Sequence, residues 1–261
     1  MLFTDHLNNT IELSAYPKRI ISIVPSQSEL LWDLGLKQEL AGITKFCIHP
    51  KVMFSSVERV GGTKQLNLEK IRALKPDLII GNKEENEQEQ VKALRKEFPV
   101  WMSDIYNLED ALKTIRAIGE LTNRKEKAAE IAELIGHSFK ALHTVQKKVL
   151  YFIWKGPYMA AGRATFIGDL INRIGLENAI SDTMARYPEL SVEEIRSLKP
   201  ECVFLSSEPY PFKEKHIQEL QKELPDTKII LVDGELFSWY GSRLLKSVPY
   251  FNALIREQLS H

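Results

Sequence analysis

Asn67-Leu68-Glu69-Lys70-Ile71-Arg72-Ala73-Leu74-Lys75-Pro76-Asp77 is echoed by Ser191-Val192-Glu193-Glu194-Ile195-Arg196-Ser197-Leu198-Lys199-Pro200-Glu201. Each copy opens on a side chain suited to cap a helix, spaces its apolar residues helically and stops at Lys-Pro. Each then enters an apolar run, Leu78-Ile79-Ile80 or Cys202-Val203-Phe204-Leu205, that reads as a buried strand. A second echo, Leu34-Gly35-Leu36 and Ile174-Gly175-Leu176, closes an amphipathic helix with a glycine in each half. One building block used twice predicts two similar lobes with a cleft between them.

Working outward, Arg19-Ile20-Ile21-Ser22-Ile23-Val24 is a β-rich run ended by Pro25, after which Ser26 or Ser28 caps a helix. Strands at 41–44, 77–80 and 100–102 alternate with helices at 68–74 and 85–98. The second half repeats the order: strands at 149–154, 202–205 and 229–232, and helices at 166–174, 192–198, 213–224 and from about Leu244. Such alternation predicts an α/β fold with a parallel sheet in each lobe, both Rossmann-like. Between them, 107–148 contains no proline and keeps helical spacing, with Asn123 placed to cap a second helix. A helix over 123–148 would be roughly 40 Å long at 1.5 Å per residue, enough to bridge two small lobes. The expected organisation is therefore an N-terminal lobe over 1–122, a bridging helix over 123–148 and a C-terminal lobe over 149–261. A helix merely packed on one lobe is the other reading of that segment. Gly35 to Glu69 is 34 positions and Gly175 to Glu193 is 18, so the first lobe has 16 extra residues in the loop of Lys45, Cys47, His49 and Gly61-Gly62-Thr63.

The 35 basic and 35 acidic side chains cancel over 261 residues, which leaves no global field to attract nucleic acid or an anionic membrane. Cys47 and Cys202 lie in different repeats and read as separate thiols. No apolar run is long enough to span a bilayer, and 1–16 lacks the pattern of a secretory signal. As written, the chain is expected to be cytoplasmic, or periplasmic or extracellular if it has been trimmed.

The doubled Leu-Glu-x-Ile and Leu-Lys-Pro-Asp/Glu pattern, the long connecting helix, the opening Arg19-Ile20-Ile21-Ser22-Ile23-Val24-Pro25-Ser26-Gln27-Ser28-Glu29-Leu30-Leu31 and Val60-Gly61-Gly62 resemble one known family. It is the helical-backbone metal-receptor family, the cobalamin and ferric-siderophore substrate-binding proteins of ABC importers, and the motifs are most similar to its cobalamin branch. The resemblance covers nearly the whole chain. It implies a corrinoid or other metal chelate held in the inter-lobe cleft, as cargo rather than cofactor, in a monomer that works with an ABC permease. It also implies that Glu69 and Glu193 dock on permease arginines. An acid in a first helical turn is equally what the helix dipole favours.

In open α/β sheets ligands lie beyond the carboxyl ends of the strands. In the first lobe this selects Pro25, Ser26 and Gln27 at a helix start, and Lys45, His49 and Lys64 in the longer loop; His49 is a weak metal-ligand candidate. In the second, aromatic side chains are concentrated, 14 of 23 lying after Lys148. Trp154, Tyr158, Tyr210, Phe212, Phe237, Trp239 and Tyr240 suit a large flat ligand, with Arg163 and Arg243 as partners for its oxygens. No nucleophile elbow, P-loop, dinucleotide fingerprint or two-histidine metal helix is present. The rival to a binding protein is a cytoplasmic carrier, sensor or chelatase-like enzyme acting on a tetrapyrrole, with His49, Asp233 and Glu235 as acid or base.

Overall fold

The computed structural model describes residues 1–259. The first half contains the hairpin β1 (Leu2–Thr4) and β2 (Thr10–Glu12), then β3 (Ile20–Ser22), α1 (Pro25–Asp33), β4 (Leu40–Ile43), α2 (Lys51–Ser56) and β5 (Glu58–Arg59). It continues with α3 (Leu68–Leu74), β6 (Leu78–Asn82), α4 (Gln88–Arg95), β7 (Val100–Ser103), α5 (Leu108–Leu121) and α6 (Lys125–Ser138). The second half contains β8 (Lys148–Trp154), β9 (Tyr158–Ala160), α7 (Phe166–Arg173), β10 (Glu177–Asn178), β11 (Glu189–Leu190) and α8 (Val192–Leu198). It closes with β12 (Cys202–Ser206), α9 (Glu214–Glu223), β13 (Lys228–Val232), α10 (Gly234–Ser238) and α11 (Leu244–Leu254).

The chain divides into two compact units. The first comprises 1–105, 109–137 and 239–244; the second comprises 106–108, 138–238 and Leu245 onward. The first holds a parallel sheet in the order β5-β4-β3-β6-β7. The second holds the order β11-β9-β8-β12-β13, with β10 also beside β8; β8, β12 and β13 run parallel, while β9 and β11 are antiparallel additions. Ile21, Ile23, Ile71, Ile79 and Val100 pack the first core, and Leu150, Phe152, Ile195, Val203 and Leu220 the second.

The repeated segment makes the same turn twice. Asn67 caps α3 by accepting from the Lys70 N–H, and Ser191 caps α8 by accepting from Glu194 while Glu194 answers the Ser191 N–H. Both helices end on a left-handed lysine, Lys75 at φ 46° and Lys199 at φ 47°, a conformation that costs an ordinary residue roughly 1 kcal/mol or more. The acid two residues on anchors the turn. Asp77 accepts from the Lys18 and Arg19 N–H groups at 2.7 and 2.9 Å, and Glu201 from Lys148 at 2.7 Å, so each carboxylate ties its turn to the first strand of its sheet. Arg72 and Arg196 repeat as well, paired with Glu97 and Glu223.

The helix expected over 123–148 is shorter. Asn123, at φ 57°, ends α5 instead of capping a new helix, with the Arg124 N–H returning to Gly119 O at 2.7 Å. α6 then runs only to Ser138 and is followed by a single 3-10 turn at Phe139–Ala141. Its 14 residues span roughly 21 Å. The remainder is drawn out by partners distant in sequence: the His143 N–H donates to Asn252 and the Val145 N–H to Ile174 O.

Candidate functional site

In the first unit the loops at the carboxyl ends of β3, β4 and β6 meet residues 239–244. Pro25, Ser26 and Gln27 are buried rather than open to a ligand, with Gln27 donating to the Ser103 hydroxyl at 2.6 Å. A Cβ on Gly241 would lie 2.5 Å from Ser26 O, so only glycine allows the approach. The Tyr240 hydroxyl donates to Glu85 at 2.5 Å, and Ser242 donates to Asp33 at 2.5 Å. Arg243 donates through Nε and Nη2 to the two oxygens of Glu29 at 2.7 and 2.9 Å, a buried bidentate pair. Its guanidinium also stacks 4.6 Å from the Trp239 ring centre, and His49 meets the same ring edge-on at 5.8 Å. Burial first, then Glu85, holds the Tyr240 phenol well above its ordinary range, so it stays a neutral donor.

The expected role of these residues is thereby revised. Trp239 is 6% exposed and Tyr240 and Arg243 are equally interior, because their partners at 29, 33 and 85 draw the segment inward. The surface of the longer loop falls instead to Phe46 and Ile48, 50% and 44% exposed, which the sequence reading passed over. Cys47 between them points inward, 3.1 Å from the Ser28 and Thr44 hydroxyls, and burial pushes its thiol up to about 11. An inward anchor flanked by two outward apolar side chains, with no acid over 40–57, is the signal that was available. Lys45 lies over Phe46 at 5.1 Å, and Lys64 donates to Glu84 O at 2.6 Å.

The second unit gathers rings at the ends of β8 and β12. Trp154 is 43% exposed and meets Tyr210 edge-on at 5.5 Å; Tyr210 in turn contacts Phe212 at 4.8 Å and His216 at 5.5 Å. His216 Nδ1 accepts from the Lys213 N–H at 2.8 Å, which leaves the proton on Nε2, facing the Tyr210 hydroxyl at 3.4 Å. Burial, then the nearby Lys155 and Lys215, keeps this imidazole below its ordinary range. Tyr158 is half-buried against Phe152 at 5.1 Å.

Two further expectations are corrected by packing. Phe212 and Phe237 lie in the interior, Phe237 wedged among Tyr151, Phe204 and Phe251. Arg163 donates twice to Asn178 O, at 3.2 and 2.9 Å, and pairs with Glu177 and Asp182, so it braces its own loop. Asp233 accepts from the Glu235 N–H at 3.1 Å and heads α10. Glu69 and Glu193 stand exposed at the same position of α3 and α8, Glu69 with Arg72 at 2.6 Å. Among the described residues no group of three or more His, Cys, Asp or Glu is placed to hold a metal ion, and no helix is long and apolar enough to cross a membrane.

Two α/β units with ring-bearing loops at their strand ends define a substrate-binding scaffold. The chain matches the periplasmic binding protein family over residues 20–227 and belongs to it. It is 26% identical over 242 residues to the vitamin B12-binding protein of Pectobacterium atrosepticum, covering 88% of this chain and 86% of that one. It is 25% identical over 260 residues to an uncharacterized ABC transporter substrate-binding lipoprotein of Bacillus subtilis, covering 94% and 82%. Among solved structures, the periplasmic vitamin B12-binding protein of Vibrio cholerae superposes with a TM-score of 0.75 at 21% identity, covering 92% of this chain and 97% of that one. The periplasmic heme-binding protein of Roseiflexus sp. RS-1 gives 0.77 at 20%, covering 90% and 96%. The family is one of periplasmic binding proteins, so the expected cytoplasmic location finds no support in it.

Proposed function

We propose that this chain binds a flat metal chelate of the corrinoid or porphyrin class, as the substrate-binding component of an ABC importer outside the cytoplasmic membrane. The observation that carries the reading is the exposed Trp154 set against Tyr210 at the strand ends of the second unit, a broad apolar surface on a stiff loop. Phe46 and Ile48 offer a comparable surface on the first unit. The relatives named for vitamin B12 and heme binding support the same class of cargo. Affinity comes from burying rings and displacing water rather than from an ion pair, since Arg243 and Arg163 are already engaged. Binding is preferred to catalysis because Asp233, an acid–base candidate, serves as a helix cap. Glu69 and Glu193 are the proposed contacts to permease arginines.

Titration of the purified protein with cobalamin, haem and a ferric hydroxamate siderophore, followed by absorbance and tryptophan fluorescence, tests this. Saturable binding of one tetrapyrrole-type chelate is expected; no response to any of the three overturns the assignment.

A further inference from the structure

The loop that carries Tyr210 is tied to the strand ends through its backbone. The Tyr210 N–H donates to Ile153 O of β8 at 3.3 Å, and the Phe212 N–H reaches Ser206 O of β12 at 3.4 Å and Tyr210 O at 2.9 Å. Those bonds hold the backbone. The phenol ring is braced by a side chain six residues on, His216, which is 4% exposed and lies with its ring centre 5.5 Å from that of Tyr210 and 5.5 Å from that of Phe212. On its other side the Tyr210 ring meets the exposed Trp154.

The imidazole is anchored in turn by local sequence. Lys213 is the N-cap of α9 and supplies no side-chain acceptor, while His216 stands at the third helical position, from which glutamate or glutamine reaches back to the N-cap N–H in a capping box. Glu194 does this in α8. In α9 the acceptor is His216 Nδ1, 2.8 Å from the Lys213 nitrogen, and only a neutral imidazole has that lone pair to offer. Protonation would set N–H against N–H there, in a buried place at the positive end of the helix dipole. The surrounding charges give an imidazolium no support. Lys155 beyond β8, and Lys215 and Lys213 on α9, repel it, and Glu219, which favours it, is engaged by Lys155.

We propose that His216 is a positioning residue for the cargo surface: its neutral imidazole holds the Tyr210 ring against Trp154, and its protonation in acid withdraws that brace. The proposal rests on the reading of Trp154 and Tyr210 as chelate contacts. Since the chelate meets the braced ring, its affinity is full while His216 is neutral and falls as pH drops through the point where the imidazole takes up its proton. Burial, then Lys155 and Lys215, sets that point below the ordinary imidazole range. A surface so built holds its cargo at neutral pH and loosens it in acid.

Two measurements test it. In the cargo-free wild-type protein, NMR should show His216 protonated on Nε2 alone at about pH 7.5, and the Trp154 indole and Tyr210 ring signals should shift together with the ionisation of His216 as the pH is lowered to about 4.5. His216→Gln keeps an acceptor for the Lys213 N–H but cannot ionise, so in that variant both signals should hold still over the same range. With cobalamin and haem as separate probes, the wild-type Kd should rise between those pH values by about fivefold or more relative to that of His216→Gln, the loss expected from removing the Tyr210 ring. Signals of Trp154 and Tyr210 that ignore the ionisation of His216 overturn the proposal whether or not the variant folds, and so does a Kd that responds to acid alike in both proteins. Failure of both chelates to bind at neutral pH instead overturns the cargo assignment, and the cargo-free titration then decides by itself whether His216 positions Tyr210.

Discussion

Arg243 shows how far a side chain's role depends on its surroundings. A guanidinium beside aromatic residues in a strand-end loop reads as a cargo contact, yet Glu29, 214 positions earlier, takes both of its bonds. Arg243→Ala leaves the Glu29 carboxylate buried without its guanidinium, and breaking such a pair costs roughly 3–5 kcal/mol. Denaturant unfolding should show that loss, and Arg243→Lys should recover only part of it because the bidentate geometry is gone. Trp154 and Tyr210 stand on the other side of the distinction, since their rings reach the surface. Replacing either by alanine should weaken chelate binding by about 1 kcal/mol or more, a shift of about fivefold or more in Kd, with little change in the unfolding midpoint for Trp154 and a lowered midpoint for Tyr210, which also packs against the core of its unit. The sequence allowed Tyr210 to be identified because Pro209 and Pro211 flank it and force its loop out of regular structure, and Trp154 because it ends a strand expected over 149–154. It could not reveal the burial of Trp239 and Tyr240, which is set by acceptors remote along the chain.

At the scale of elements, α3 and α8 were readable because everything that shapes them is local: a capping side chain, helical spacing, and a carboxylate after Lys-Pro. Ser191→Ala should cost about 1 kcal/mol in stability, measured by thermal or denaturant unfolding. The backbone N–H of Ser191, followed by its hydroxyl, holds the Glu194 carboxyl below the usual carboxylate range. With the folded pKa depressed, that contribution is present above the unfolded value and disappears as pH falls through the folded one. Stability measured from pH 7 down to pH 3 should therefore fall less steeply in Glu194→Gln than in the wild type. The connecting helix was overestimated for the opposite reason. Residues 142–147 keep helical composition, but Asn252 and Ile174 take the His143 and Val145 N–H groups, and no local signal announces either bond.

At the scale of the whole molecule, the duplicated segment places Glu69 and Glu193 at matching positions, one on each unit. Reversing both charges should leave chelate affinity intact while abolishing co-purification with the permease; retained association would remove the docking role. The fold class followed from that duplication, since two copies of helix, turn and strand prescribe parallel strands at the centre of each sheet; the antiparallel β9 and β11 lie outside the repeat. The membership of the units did not follow, because 239–244 folds with the first while its neighbours on both sides fold with the second. This return passage has a practical consequence for anyone dissecting the protein. A cut after residue 138 does not release two self-sufficient pieces: the leading fragment would lack Tyr240, Ser242 and Arg243, and with them the answers to Glu85, Asp33 and Glu29. Such a fragment should be recovered folded only when co-produced with the remainder of the chain, which makes split-fragment complementation a sensitive reporter of that six-residue insertion.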